Sequence, residues 1–118
     1  MQENTIEKDG VKYAEDRGWL VYKWSSPGQA GILDRLFFQR GISFAIEYKA
    51  TGKSASPKQR AEAVKLKCAG VPARCCDSVQ SSRAFIDTMT ALLKESEDDI
   101  ALALCMLSCD ISSFDPSC

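Results

Sequence analysis

Apolar and polar residues follow two rhythms along this chain, and the switches between them mark out its elements. Over residues 3–17 the period is helical: at about 100° per residue, Ile6, Gly10, Tyr13, Ala14 and the stem of Arg17 fall on one side. Glu3 projects into the middle of that stripe and Glu7 lies at its edge. A carboxylate on a buried face needs a partner, whereas one on a frayed terminus does not, and the pattern leaves both readings open. Gly18 ends the helix. Residues 19–24, Trp-Leu-Val-Tyr-Lys-Trp, are aromatic and β-branched and predict a strand. The Ser/Pro/Gly-rich residues 25–31 are a loop, either a plain connector or a segment close to a substrate.

The rhythm then becomes strict alternation. Residues 33–39 put Asp34, Leu36 and Phe38 on one face and Arg35, Phe37 and Gln39 on the other. Arg40-Gly41 is a tight turn. Residues 42–50 return with Phe44, Ile46 and Tyr48 on one face and Ala45, Glu47 and Lys49 on the opposite one. After a polar loop, Ser56-Pro57-Lys58-Gln59 starts a helix, with Ser56 as N-cap, Pro57 at N1 and Gln59 at N3 of a capping box. That helix is expected to run to residue 69, bury Ala61, Val64 and Cys68, and stop at Gly70-Val71-Pro72. Residues 73–76 form a short strand. Ser78 caps a last helix whose core residues are Val79, Phe85, Ile86, Met89, Leu92 and Leu93.

The order is α-β-β-β-α-β-α, with a helical crossover between the third and fourth strands, as a parallel pair requires. The expected fold is a small mixed α/β sheet flanked by helices. Residues 1–94 are read as one domain. Residues 95–118 are read as an acidic and apolar C-terminal tail in which residues 100–107 form a short helix, suited equally to a subunit contact or to an extra core helix.

Composition narrows the class. A chain of 118 residues is one domain with a single core. There is no run of apolar residues long enough to span a membrane and no apolar region at the N-terminus that reads as a signal, so a cytoplasmic protein is expected. Histidine is absent, which excludes imidazole catalysis and His metal ligands. The six cysteines form no CxxC pair and are expected to be reduced and mostly buried rather than zinc-binding. The net charge of −1 hides a balance of +5 over residues 1–94 and −6 over residues 95–118. The basic body suits phosphates, and it equally suits a mixed surface with an acidic tail.

Asp34 and Glu47, on neighbouring strands about 4.8 Å apart, can converge on one divalent cation, and the Tyr48 carbonyl offers a third oxygen. Such an ion stabilises charge on a phosphoryl oxygen and activates water. Lys49 falls on the same face as Glu47, where it can orient or deprotonate that water or neutralise developing charge. Each piece also has an ordinary explanation: a surface ion pair for Glu47 and Lys49, and a capping box for Gln59.

Taken together, Asp34 followed by Glu47-x-Lys49 in the next strand resembles the PD-(D/E)xK nuclease core. More narrowly, Gly31-x-x-Asp34, the Phe-Ala-Ile-Glu-Tyr-Lys strand, Gly52, Ser56-Pro57-x-Gln59 and Gly70-Val71-Pro72 resemble the virus-type replication-repair nuclease family, VRR-NUC, over roughly residues 3–93. The family's Gly-Val-Pro-Asp is Gly-Ile-Leu-Asp here, and the tail has no family counterpart.

The resemblance implies an αβββαβα fold and a Mg²⁺- or Mn²⁺-dependent DNA endonuclease. Asp34 and Glu47 would bind the metal, Lys49 and Gln59 would complete the site, and a helix carboxylate, Glu3 or less well Glu7, would join them. It also implies a stand-alone phage or prophage protein in a bacterial cytoplasm, a homodimer, and selectivity for branched DNA such as Holliday junctions. Lys53, Lys58 and Arg60 flank the site and are candidate DNA contacts. The alternatives are a DNA-binding module on the same fold that no longer cuts, and a structural protein whose charges are surface pairs.

Overall fold

The computed structural model describes residues 1–24 and 33–95. The loop and Gly31 that precede Asp34, and all but the first residue of the tail, lie outside the described residues. The elements are α1 (Glu3–Glu15), β1 (Leu20–Lys23), β2 (Arg35–Gln39), β3 (Ile42–Tyr48), α2 (Pro57–Cys68), β4 (Ala73–Cys76) and α3 (Val79–Glu95). This is the expected order, and β4 has the expected bounds.

The sheet runs β1-β2-β3-β4. β1 to β3 form an antiparallel meander, and β4 pairs parallel to β3. The β2–β3 turn uses two left-handed residues, Arg40 at φ 49° and Gly41 at φ 82°, which matches the twist of a two-residue hairpin. It sets Phe37 opposite Phe44 and Arg35 opposite Ile46.

That register decides which face is core. Phe37, Phe44, Ile46 and Tyr48 are fully buried under α1 and α3. Phe44 is the hub. It stacks on Phe37 at 4.4 Å between ring centroids and meets Trp19 at 4.8 Å and Phe85 at 5.1 Å edge-on, geometries that aromatic rings favour. Trp19 satisfies its indole N–H on Thr90 at 3.0 Å. Tyr48 reaches into the helix layer, where its hydroxyl lies 2.9 Å from the Ser82 hydroxyl. Gly10 makes the room: a Cβ there would lie 2.8 Å from Tyr48 Cζ and 2.7 Å from Ser82 Oγ.

The other sheet face is covered only in part. α2 stands against its β3–β4 side, while Leu20, Tyr22 and Phe38 over β1 and β2 remain exposed. Three expectations fail here. Ala61, Val64 and Cys68 of α2 are exposed rather than buried, because this helix covers a strip at the sheet edge and packs on one layer only. Leu92 is exposed too, since α3 turns Phe85, Ile86, Met89 and Leu93 inward. Of the described cysteines only Cys76 is buried; Cys68 and Cys75 are exposed, and all three are free thiols.

Candidate active site

The site lies where the open sheet face meets α2. Alternation along β3 sends Tyr48 toward the helix layer and Glu47 the opposite way, as the pattern predicts. Continuing the β2–β3 register by one step puts Asp34 opposite Glu47. Asp34 Oδ2 accepts the Tyr48 backbone N–H at 3.1 Å, which anchors its carboxylate beside the strand that carries Glu47.

Glu47 is 2% exposed, an unusual place for an ionisable side chain. Gln59 Nε2 donates to Glu47 Oε1 at 2.6 Å. The same Gln59 accepts the Ser56 backbone N–H at 2.9 Å through Oε1, while Ser56 Oγ accepts the Gln59 N–H at 3.1 Å. The capping box and the contact with Glu47 therefore coexist, because a side-chain amide carries both a donor and an acceptor. Among the described residues Glu47 Oε2 is the one buried side-chain polar atom without a partner.

Burial pushes the Glu47 carboxyl up to about 8. The adjacent Asp34 carboxyl adds to the rise, Lys49 opposes it, and Glu3 contributes a further push. Between two carboxyls a hydrogen bond needs a proton on one of them. With both ionised, Oε2 faces a negative neighbour and no donor. A cation supplies what the proton otherwise does.

The donor set fits a hard divalent cation: oxygens only, one of them buried and unsatisfied, and no imidazole. Among the described residues no three acidic or thiol side chains converge closely enough to cage an ion by themselves.

Lys49 follows β3 directly, and its N–H bonds to the Cys76 carbonyl at 3.0 Å; its charge acts on Glu47. Of the two helix carboxylates, Glu7 is engaged elsewhere, accepting from Arg35 Nε at 2.7 Å, whereas Glu3 is exposed and its charge is felt at Glu47. The Met1 ammonium donates to Thr51 Oγ1 at 3.2 Å, and Thr51 in turn donates to the Asp77 carbonyl at 3.0 Å. Those bonds hold the start of α1 next to the end of β3, so Glu3 is brought near from a distant part of the chain. Lys53, Lys58 and Arg60 are exposed around the α2 start, with Arg60 Nη1 donating to the Ala55 carbonyl at 2.6 Å.

Sequence reasoning missed two neighbours. Cys75 sits beside Glu47 in the parallel register, and it shares with Glu47, Gln59, Arg60 and Arg74 a hollow of about 180 Å³. Burial, with the nearby Glu47 charge, holds its thiol above the usual range. Neither Cys75 nor Arg74 carries a motif; only the β3–β4 register identifies them.

No family model matches the sequence. The chain is similar to "Putative nuclease p44" of Acyrthosiphon pisum secondary endosymbiont phage 1, at 36% identity over 67 residues, covering 56% of this chain and 72% of that protein. It is also similar to a solved structure described as a VRR_NUC domain, with a TM-score of 0.66 and 25% identity, covering 72% of this chain and 94% of that one. The shared fold and the similarity to a phage nuclease together show that the chain belongs to the VRR-NUC family of nucleases.

Proposed function

We propose that the protein is a Mg²⁺- or Mn²⁺-dependent DNA endonuclease whose site is built from Asp34, Glu47, Lys49 and Gln59, with Glu3 as the helix carboxylate. The observation that carries this reading is Glu47: a buried carboxyl with one oxygen held by Gln59, the other without a partner, and a second carboxylate alongside. A stable core has no use for that arrangement, since a buried polar group left without a partner costs about 1–3 kcal/mol.

In this reading Asp34, Glu47 and the Tyr48 carbonyl would hold the metal, which would supply polarisation of the phosphoryl oxygen and a lowered pKa for the attacking water. Gln59 fixes the Glu47 carboxylate so that Oε2 is presented and Oε1 is not. The Tyr48 N–H holds Asp34 in the matching orientation. Lys49 orients the attacking water or balances the charge that develops on the phosphate. Attack forms a bond from the water oxygen to phosphorus as the bond to the leaving sugar oxygen breaks. Lys53, Lys58 and Arg60 supply positive charge toward the DNA backbone.

Branched substrates such as Holliday junctions, and a homodimer, are the finer parts of the proposal and rest on the family resemblance. A two-fold pair of sites suits a junction, in which two strands are cut symmetrically.

The test is cleavage of a synthetic four-way junction, a flap and a linear duplex with Mg²⁺, Mn²⁺ or EDTA, with sedimentation for the assembly. Metal-dependent cutting that favours the junction is expected, and Asp34→Ala and Glu47→Ala should abolish it while leaving the fold intact. Variants that cut as well as the parent refute the site. Equal junction binding in EDTA with no turnover under any metal supports the non-cutting module instead.

A further inference from the structure

Several cations of the body are paired with carboxylates. Arg35 is held by Glu7, Arg83 by Asp9, Arg17 by Asp87 and Lys12 by Asp16, all on the side of the molecule built from α1 and α3. Arg74 and Lys67, like Lys53 and Lys58, are not among them. Both are exposed, and among the described residues no carboxylate pairs with either.

They border one groove. Among the described residues β4 is the outermost strand, bonded to β3 on one side and to no strand on the other. Along its free edge lie two cavities, of about 390 Å³ beside Lys67 and Pro72 and about 380 Å³ beside Ser81 and Thr88. Among the described residues no acidic side chain lines either of them. Arg74 lines both, and it also lines the hollow that contains Glu47. Its guanidinium stands 5.4 Å from the centre of the Phe85 ring. An aromatic face restrains a guanidinium while leaving its N–H groups free to donate.

The far end of the groove is walled by α3. Ser81 lies in the first turn of α3, and its N–H is capped by Ser78 Oγ at 3.0 Å. Ser81, Ala84, Phe85 and Thr88 share one flank of this 17-residue helix, and that flank is the wall of the cavity that Arg74 also lines.

We propose that this edge groove carries the sugar-phosphate backbone of the DNA as it leaves the cut site, with Arg74 and Lys67 contacting phosphates. The inference rests on the nuclease reading above and extends it from Lys53 and Lys58 at the start of α2 to a surface beside the last turn of that helix. The contacts are to phosphate, so they add affinity and direction without sequence preference. Arg74 acts in binding and positioning; the bond-breaking chemistry belongs to the carboxylates.

The experiment is anisotropy of a labelled DNA duplex in EDTA over a range of KCl, together with steady-state cleavage. The proteins are the parent, Arg74→Ala, Lys67→Ala, the double variant, Arg74→Lys, and Lys12→Ala as a charge control on the far side. Each groove alanine should reduce the salt slope of log K by about 0.9, and the double by about two. KM should rise with kcat within about twofold. Arg74→Lys should keep the slope, and Lys12→Ala should match the parent. Melting temperatures report folding, and both groove positions are exposed enough to expect no change. A double variant with the parent's slope and KM overturns the groove while the nuclease reading stands. A parent that neither binds nor cuts DNA removes the nuclease reading and the groove with it.

Discussion

Gly10→Ala sets two rules against each other. On helix propensity alone the substitution stabilises the middle of α1 by about 1 kcal/mol. The tertiary structure argues the reverse. The new methyl would stand 2.7 Å from Ser82 Oγ and 2.8 Å from Tyr48 Cζ, and nearer still to the Tyr48 hydroxyl. Tyr48 and Ser82 are both 0% exposed, so neither has room to retreat. Forcing the methyl in costs ~1–3 kcal/mol as overpacking. Parting the 2.9 Å bond between the two hydroxyls strands buried polar groups at ~1–3 kcal/mol. Less the propensity gain, the net is a loss of about 3 kcal/mol, or a fall of roughly 12 °C in Tm for a domain of this size.

Thermal melts of the metal-free protein by circular dichroism measure this directly. Gly10→Ala combined with Tyr48→Phe should recover part of the loss, since the nearest atom to the methyl is then gone. Tyr48 also lies between Glu47 and Lys49 and holds Asp34 through its N–H, so Gly10→Ala should weaken Mn²⁺ binding as well. A Gly10→Ala protein that melts at or above the parent temperature refutes the reasoning, because propensity would then have outweighed the close approach.

The remaining predictions concern the site and its supports. In the folded protein Glu47 keeps its proton up to about 8, against 4.5 ordinarily. Its contribution to stability is therefore complete below about 4.5 and lost as pH rises through about 8. Metal-free parent minus Glu47→Gln should show that loss in urea titrations, and parallel pH profiles would contradict it. Added Mn²⁺ should raise the parent's Tm more at pH 8 than at pH 6, as binding must displace that proton at the lower pH; an equal rise at both would count against Glu47 as a ligand. Gln59→Glu keeps an acceptor for the Ser56 N–H and loses the donor to Glu47. It should cut activity tenfold or more, on the order of 1.4 kcal/mol, with little change in Tm, whereas Gln59→Ala should lower both. Breaking the partly buried Arg35–Glu7 pair by Arg35→Met should cost about 2 kcal/mol, and pairing it with Glu7→Leu should return most of that; additive losses in the double-mutant cycle would show the two residues do not interact.

The one-dimensional pattern already contained the element order, the β2–β3 hairpin and the opposed faces of β3. The reason is local: alternation and helical periodicity record which side of each element meets the core, and the Arg40-Gly41 turn fixes the register that sets Asp34 against Glu47. Ser56, Pro57 and Gln59 likewise announce a helix start at the positions where it occurs. The pattern failed where burial depends on what lies across the gap. α2 has apolar residues at Ala61, Val64 and Cys68, yet nothing packs over them among the described residues, since that helix rides on the sheet edge. Nor did the pattern decide whether Gln59 serves the cap or Glu47, and the fold shows one amide making both bonds. The tie from Met1 through Thr51 to Asp77, the diversion of Glu7 to Arg35, and the juxtaposition of Cys75 and Arg74 with the site all join residues far apart in the chain. No local period records such contacts. They exist because a parallel β3–β4 pair and three packed helices bring those segments together, and only the tertiary structure contains that information.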